Sequence, residues 1–490
     1  MEEKSMDKSN AFVLGVDLGT QGVRSMVVTL TGKVVVEERE TLASSHREGE
    51  IFEQDPKEWV ERVDACVARL LQKFLGMGYR KEALLALSCD STSGTVVAVD
   101  ESGNVLRPAI MYNDSRAKEE SSLVNNVATS FCEKMGYRFD PSFALCKVLW
   151  MKRHEPQLFE KTRYFLHAAD YLVGILTGEW GISDISNSLK MGYDLLDQAW
   201  PPFIEKNLGI PVAKLPKVFM TGEIVGELHP RWKEKWGCSQ MKVVAGATDG
   251  TASFYASGVE RVGDISSTLG TTLVIRSISE RHIKDPKGRV YCHLHPEGLW
   301  LPGGASNTGG ECLNRFFPGV DFSEWDERVK DLSLPTTLLV YPLVRQGERL
   351  PFANPSAQFF KVGEEENPLA FYAACLEGVG YIERYSFELL ESLGANTITR
   401  VFSSGSGAKS TIWNQIRANI LNRPISLPAT LESAMGSCII AASPFLGGLR
   451  QAARDMVEII TTTDPQPEQV CRYEEKYRHF LEECQKRGYC

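Results

Sequence analysis

The chain has 490 residues, 43% hydrophobic and 24% charged, which excludes a disordered polypeptide and leaves room for about two to four domains. Its formal net charge of -9 excludes broad electrostatic affinity for nucleic acid or an anionic membrane surface. Twelve cysteines, dispersed from Cys66 to Cys490 with no C-x-x-C pair, point to buried thiols in a cytoplasmic protein.

Residues 1–10 are polar, read as a flexible terminus, and hold no apolar core of a secretory leader. Short apolar runs at 11–16, 24–30 and 34–36 are separated by the turns Asp17–Gly22 and Thr31–Lys33. That pattern predicts a β-meander. Asp55 at the N-cap and Pro56 at the first helical position open a helix whose apolar residues run from Trp59 to Phe74 at helical spacing. Strands follow at 84–88 and 95–99. In the second half, 264–267 and 273–275 flank the turn Thr268–Thr272. The two turns share Leu-Gly-Thr, at Leu18–Thr20 and Leu269–Thr271, which suggests two related domains facing each other across a cleft. The domain boundary, with a hinge, falls near 256–263.

Downstream, Pro368 opens a helix, a strand ends at Phe402, and the loop 403–410 leads into a helix at 411–421. A short strand at 425–427 precedes another helix at 433–442. The charge-free stretch between Glu432 and Arg450 contains Pro444, so it reads as a buried helix with its exit loop and not as a membrane span. TTTDPQP at 461–467 reads as a loop before a polar C-terminal helix.

Three constellations can carry chemistry. Asp17-Leu18-Gly19-Thr20-Gln21-Gly22 is an anion-binding nest or an ordinary hairpin turn. In the first case Thr20 and Gln21 add donors, Arg24 balances phosphate charge, and Asp17 holds a hydrated Mg2+. Asp249 sits where a strand meets a helix, placed either to deprotonate a substrate hydroxyl or simply to cap the helix. The loop Ser404–Ser410 lacks the glycines of a P-loop, since Ala408 and Ser403 stand where glycine is required. A strand, a small-residue loop and a helix still suit a nucleotide. His293 and His295 alternate as a metal pair would, but with no third ligand nearby they read as structural. Trp59, Trp150 and Trp413 read as core, and Glu364–Glu366 as a solvated loop.

Over residues 11 to 450 the sequence resembles the FGGY family of carbohydrate kinases. The resemblance rests on VDLGTQGVRSMV from Val16, LRPAIMYNDSRA from Leu106, AADYLVGILTGEWGISD from Ala168 and VAGATDGTASFYASG from Val244. It continues in SSTLGTTL from Ser266, LEGVGYIERY from Leu376 and GSGAKSTIWNQIRANIL from Gly405. It implies an α/β fold of two actin-like ATPase (ribonuclease H-like) domains with a catalytic cleft between them. The expected organisation is a sugar and phosphate domain at 11–257, a nucleotide domain at 258–450 and a helical extension at 451–490.

Asp90-Ser91-Thr92-Ser93-Gly94-Thr95 is similar to the plant and cyanobacterial branch of the family that phosphorylates D-ribulose, where Asp-Gly-Thr-Ser-Gly-Thr is usual. The xylulose kinases carry Met-His-Gly there. DISNSLKMGYD from Asp184, WLPGGASNTGG from Trp300 and YPLVRQGERLPFANP from Tyr341 are further branch-like strings. Departures are Ser91 for the usual Gly, and the serines within 404–407 where glycines are common.

The resemblance implies an ATP- and Mg2+-dependent phosphotransferase, a monomer or homodimer, acting on a small sugar. Asp249 would be the general base. Asp17 would contact sugar and, with Asp249, hold Mg2+ largely through water. Ser93, Gly94, Tyr112 and Asn113 would bind sugar. Thr20, Gln21, Arg24, Gly270 and Thr271 would bind phosphates, and Gly303, Gly304, Gly407, Ala408 and Thr411 adenosine. The alternatives are a D-xylulose kinase, another polyol or ketose kinase, an ATP-driven protein of actin or chaperone type, and an inactive sugar sensor.

Overall fold

Residues 7–43, 45–430 and 432–490 are described by a computed structural model of the chain. Most of the terminus expected to be flexible, residues 1–6, lies outside the described residues. Residues 7–10 form a turn in which the Asp7 carboxyl accepts from Ser9 N at 3.0 Å and Asn10 Nδ2 at 2.7 Å.

The meander forms as expected: β1 (Phe12–Leu18), β2 (Gly22–Thr29) and β3 (Val34–Thr41) pair antiparallel in sequence. All seven β1 residues are buried, as in a strand covered on both faces. Phe12, Leu14, Val16 and Leu18 pack with Trp59, Val63, Leu70 and Phe74 of α1 (Pro56–Gly76), whose Asp55 cap accepts from Lys57 N at 2.9 Å. The pleat therefore turns Gly15 and Asp17 to the opposite face. β4 (Leu84–Ser91) runs parallel to β1 and continues the sheet.

Further along come α2 (Ala144–His154), α3 (Ala168–Thr177) and the edge strand β5 (Ile224–Glu227). β6 (Lys242–Thr248) lies parallel to β4 and leads directly into α4 (Asp249–Ala256). The six-stranded order is β5-β6-β4-β1-β2-β3.

The second sheet repeats that grammar. β7 (Asp264–Leu269) and β8 (Leu273–Ser277) form a hairpin, joined by β9 (Tyr291–Leu294) and β10 (Trp300–Ala305). After the long helix α5 (Pro368–Ser392), β11 (Arg400–Ser404) pairs parallel with β7, just as β4 does with β1. α6 (Thr411–Leu421), β12 (Ile425–Pro428) and β13 (Ile459–Thr463) follow, in the order β9-β10-β8-β7-β11-β12-β13.

Two compact units result, of residues 7–256, 293–298 and 432–457, and of 257–292, 299–430 and 458–490. This division departs from the expected one at the short segment 293–298 and, over a longer stretch, at 432–457, which packs with the first unit. The reason is α7 (Ser433–Leu446), which lies against β1, β4 and α4. Gly15 faces Ala434 O and Gly436 faces Ala252 O; a Cβ on either would stand 2.2 Å and 1.9 Å from those oxygens. Only glycine admits such backbone-on-backbone packing.

α7 also runs through Pro444, where an exit loop was expected. The Ser443 hydroxyl donates to Ile440 O at 2.8 Å, replacing the N–H that proline lacks. Thr461–Thr463, expected as loop, belongs to β13 on the second sheet's edge. The extension at 458–490 is integral to the second unit: α8 (Pro467–Lys486) buries Tyr473, Tyr477, Phe480 and Cys484.

Candidate active site

β1, β4 and β6 are mutually parallel neighbours, so their C-terminal ends share one edge of the sheet. Each delivers an acid there. Asp17 stands in register with Asp90, which pairs with Ala247 two residues before Asp249.

Asp90 is fully buried, and Ser437 on α7 donates to its Oδ2 at 2.6 Å. Burial, and then the charge of Asp17, hold the Asp90 carboxyl well above the usual carboxylate range, which favours its protonated form. Burial also raises Asp17, against hydrogen bonds from Ser433 and Asp90 and the charge of Arg24. Ionisation of either acid opposes ionisation of the other. Asp249, half-buried at the first turn of α4, accepts from Gly250 N through Oδ1 at 2.6 Å. Asp90, Ser433 and Ser437 were not among the sequence candidates. The available signal was a second acid ending a second buried strand.

The Asp17–Gly22 turn closes with Gly19 N donating to Gly22 O at 2.9 Å. Thr20 is half-buried and its carbonyl accepts from Gln54 Nε2, while Gln21 is exposed. Arg24 is not free to serve an anion alone, because Glu432 bridges it to Arg39.

The predicted sugar residues also assemble in this unit. Ser93 is half-buried, and Gly94 occupies φ +90°, a conformation that favours glycine. Lys147 on α2, completely buried, donates to Gly94 O at 2.8 Å and Ser142 O at 3.1 Å. Lys190 reaches Ser93 O at 3.4 Å. Tyr112 N donates to Thr95 Oγ1 at 3.2 Å, which brings Tyr112 to the loop; Asn113 beside it is exposed. Ser91, the departure from the branch pattern, uses its Oγ to accept from Ala169 N at 2.9 Å near the start of α3. Its hydroxyl serves a helix terminus.

Burial, and then the charge of Lys190, lower the Lys147 ammonium to about 7. The unfolded chain retains that proton up to about 10.4, so between these values folding releases a proton and wild-type stability rises with pH. Lys147→Met removes the effect. Its stability relative to wild type should therefore be greater at pH 6.5 than at pH 9 in urea titrations; a constant difference would show that Lys147 does not titrate there.

In the second unit, β7 and β11 end side by side, Thr268 in register with Ser404. The Gly270–Thr272 turn and the 405–409 loop leave from this edge, so Gly270, Thr271, Gly407, Ala408 and Thr411 are brought together. Thr268 Oγ1 and Ser404 Oγ lie 2.7 Å apart, and Asn414 Nδ2 donates to Ala408 O at 2.7 Å. Gly303 and Gly304 are placed elsewhere, buried within β10 opposite Arg276 and Ile275. The second glycine pair of that segment stands at the turn instead: Gly310 N donates to Gly270 O at 2.8 Å.

His293 and His295 are buried, and burial lowers His295 to about 3. No group of three or more potential metal-ligating His, Cys, Asp or Glu occurs among the described residues. Trp59 and Trp413 are core as expected, whereas half-buried Trp150 lies against the guanidinium groups of Arg107 and Arg116. Ten of the twelve cysteines are buried, and among the described residues no helix is long and apolar enough to cross a membrane.

Residues 12–255 match the N-terminal domain of the FGGY family of carbohydrate kinases, and residues 265–444 match its C-terminal domain. The chain belongs to this FGGY family. It is thereby an ATP-dependent sugar kinase, transferring phosphate to an alcohol. This FGGY kinase is 28% identical over 478 residues to the xylulose kinase of Bacillus subtilis, covering 94% of both chains. It is 25% identical over 453 residues to the gluconokinase of the same organism, covering 88% of this chain and 87% of that one. The crystal structure of xylulose kinase from Rhodospirillum rubrum superposes with a TM-score of 0.86 at 25% identity, over 97% and 98% of the two chains. The fold is the two-domain, actin-like (ribonuclease H-like) α/β fold of these kinases.

Proposed function

We propose that this kinase phosphorylates D-ribulose at its terminal hydroxyl, yielding D-ribulose 5-phosphate. The observation that carries the reading is the loop after Asp90, where a small hydroxyl, Ser93, stands in place of the Met-His-Gly of xylulose kinases. Asp249 is the general base, taking the O5 proton as that oxygen attacks the γ-phosphorus and the bond to the ADP oxygen breaks in line. Asp17, its orientation set by Asp90 and Ser433, holds the sugar beside Thr20 and Gln21. Gly270, Thr271, Gly407, Ala408 and Thr411 hold ATP.

Hydrated Mg2+ suits this donor set, since it needs only one or two carboxylates besides phosphate oxygens. Asp17 and Asp249 would hold it largely through water. It would neutralise charge on the transferred phosphate.

D-xylulose is the second reading, favoured by the xylulose kinases among the relatives. The two ketoses are epimers at C3, so discrimination rests on groups around that hydroxyl. A coupled ADP assay should show at least about a tenfold advantage in kcat/KM for D-ribulose, reduced in Ser93→Ala. Equal or better turnover of D-xylulose would replace the first reading by the second.

A further inference from the structure

In the second unit, a single side chain reaches beneath both loops assigned to ATP. Arg417 of α6 is fully buried, as is its counterion Glu383 of α5. The pair is bidentate, Nε to Oε2 and Nη2 to Oε1 both at 2.7 Å. Two of the three remaining guanidinium hydrogens go to the two loop-bearing strands. Nη2 donates to Ser267 Oγ on β7 at 3.1 Å, and Nη1 to Ser403 Oγ on β11 at 2.7 Å. Nη1 also donates to Asn414 Oδ1 at 3.2 Å, and the amide nitrogen of Asn414 holds Ala408 O inside the loop. Ser267 donates in turn to Glu383 Oε1 at 2.5 Å.

Ser267 lies three residues before Gly270, and Ser403 two residues before Gly405. Above the pair the loops meet in the Thr268–Ser404 hydroxyl contact and in the close approach of Gly405 to Leu269, where an added Cβ would stand 2.5 Å from Leu269 O. Strand pairing fixes β7 against β11, but it does not fix the strand tips against α6, which closes the second loop. Arg417 does, because its planar fork bonds β7, β11 and Asn414 at once.

We propose that Arg417 and Glu383 form a positioning pair for the nucleotide, setting the Gly270–Thr272 turn against the 405–409 loop. The role rests on the assignment of those loops to ATP. Burying two charges is poor evidence of stabilisation, since apolar replacements of both are often neutral or stabilising. That property separates positioning from support. A pair serving only the core can be exchanged for apolar side chains without functional cost; a pair that orients two loops cannot.

The test is the double variant Arg417→Met/Glu383→Leu, followed by its thermal midpoint and its affinities for a non-hydrolysable ATP analogue and for sugar. The variant should fold, lose about tenfold or more in nucleotide affinity, and keep sugar affinity within about twofold. A folded variant with wild-type nucleotide affinity overturns the proposal. Should the double variant not fold, Ser267→Ala/Ser403→Ala removes only the bonds to the strands. It should weaken the analogue several-fold in a folded protein, and no weakening is again decisive against the role. Thr271→Asp, which sets a carboxylate on the exposed turn, tests the underlying assignment separately. Unchanged analogue affinity there would reject the loops as the ATP site and the positioning role with them.

Discussion

Asp249→Asn is expected to lower kcat for sugar phosphorylation by about 10²-fold or more while leaving the protein folded. The carboxylate oxygen that accepts from Gly250 N at the start of α4 has an isosteric counterpart in the Asn carbonyl. The turn from β6 into α4 should therefore survive. What disappears is the basic oxygen, and an amide is a far weaker proton acceptor. Nucleotide affinity should stay near wild type, because the loops assigned to ATP lie in the second unit. Steady-state kinetics with the preferred ketose, alongside titration of a non-hydrolysable ATP analogue, separates the two effects. If more than half of the wild-type kcat remained, Asp249 would be a helix-terminal residue and not the base.

Much of this site was legible because its parts are local. A strand closed by Asp17 and a glycine turn, the Asp55-Pro56 helix start, and the transition into Asp249 each occupy fewer than ten consecutive residues. Repetition of the Leu-Gly-Thr turn between short strands in the second half pointed to two related domains, and β1-β4 and β7-β11 are the same parallel pairing. What stayed hidden depends on contacts distant in sequence. Ser437 meets Asp90 across 347 positions and Glu432 meets Arg24 across 408. No periodicity reports such a partner. α7 is apolar on nearly every face, so its pattern announces burial without saying in which unit. Gly303–Gly304 and Gly309–Gly310 are equally glycine-rich in sequence. Only strand register separates the pair inside β10 from the pair beside the Gly270–Thr272 turn. The serines of 403–404 looked like departures from a glycine loop, but they bond Arg417 and Thr268.

α7, expected from the sequence in the domain at 258–450, also carries the second large effect. Gly436→Ala should lower kcat by about 10²-fold with modest change in either KM. A Cβ at this position would stand 1.9 Å from Ala252 O, 2.3 Å from its carbonyl carbon and 2.8 Å from its Cα. All three are backbone atoms, so no rotamer change relieves the clash. Either α4 or α7 must shift by more than an ångström. Asp249 opens α4 three residues before Ala252, while Ser433 and Ser437 of α7 bond Asp17 and Asp90. Movement of either helix changes the distance between Asp249, proposed as the proton acceptor, and Asp17, proposed to orient the sugar, and in-line transfer tolerates little misplacement. Overpacking should also cost about 1–3 kcal/mol of stability, so kinetics belong well below the lowered melting temperature. Ala442→Gly, near the other end of α7, weakens the helix by about 1 kcal/mol without touching the Ala252 contact. If the two variants lost stability alike and both kept kcat, the close approach of α7 to α4 would serve packing alone.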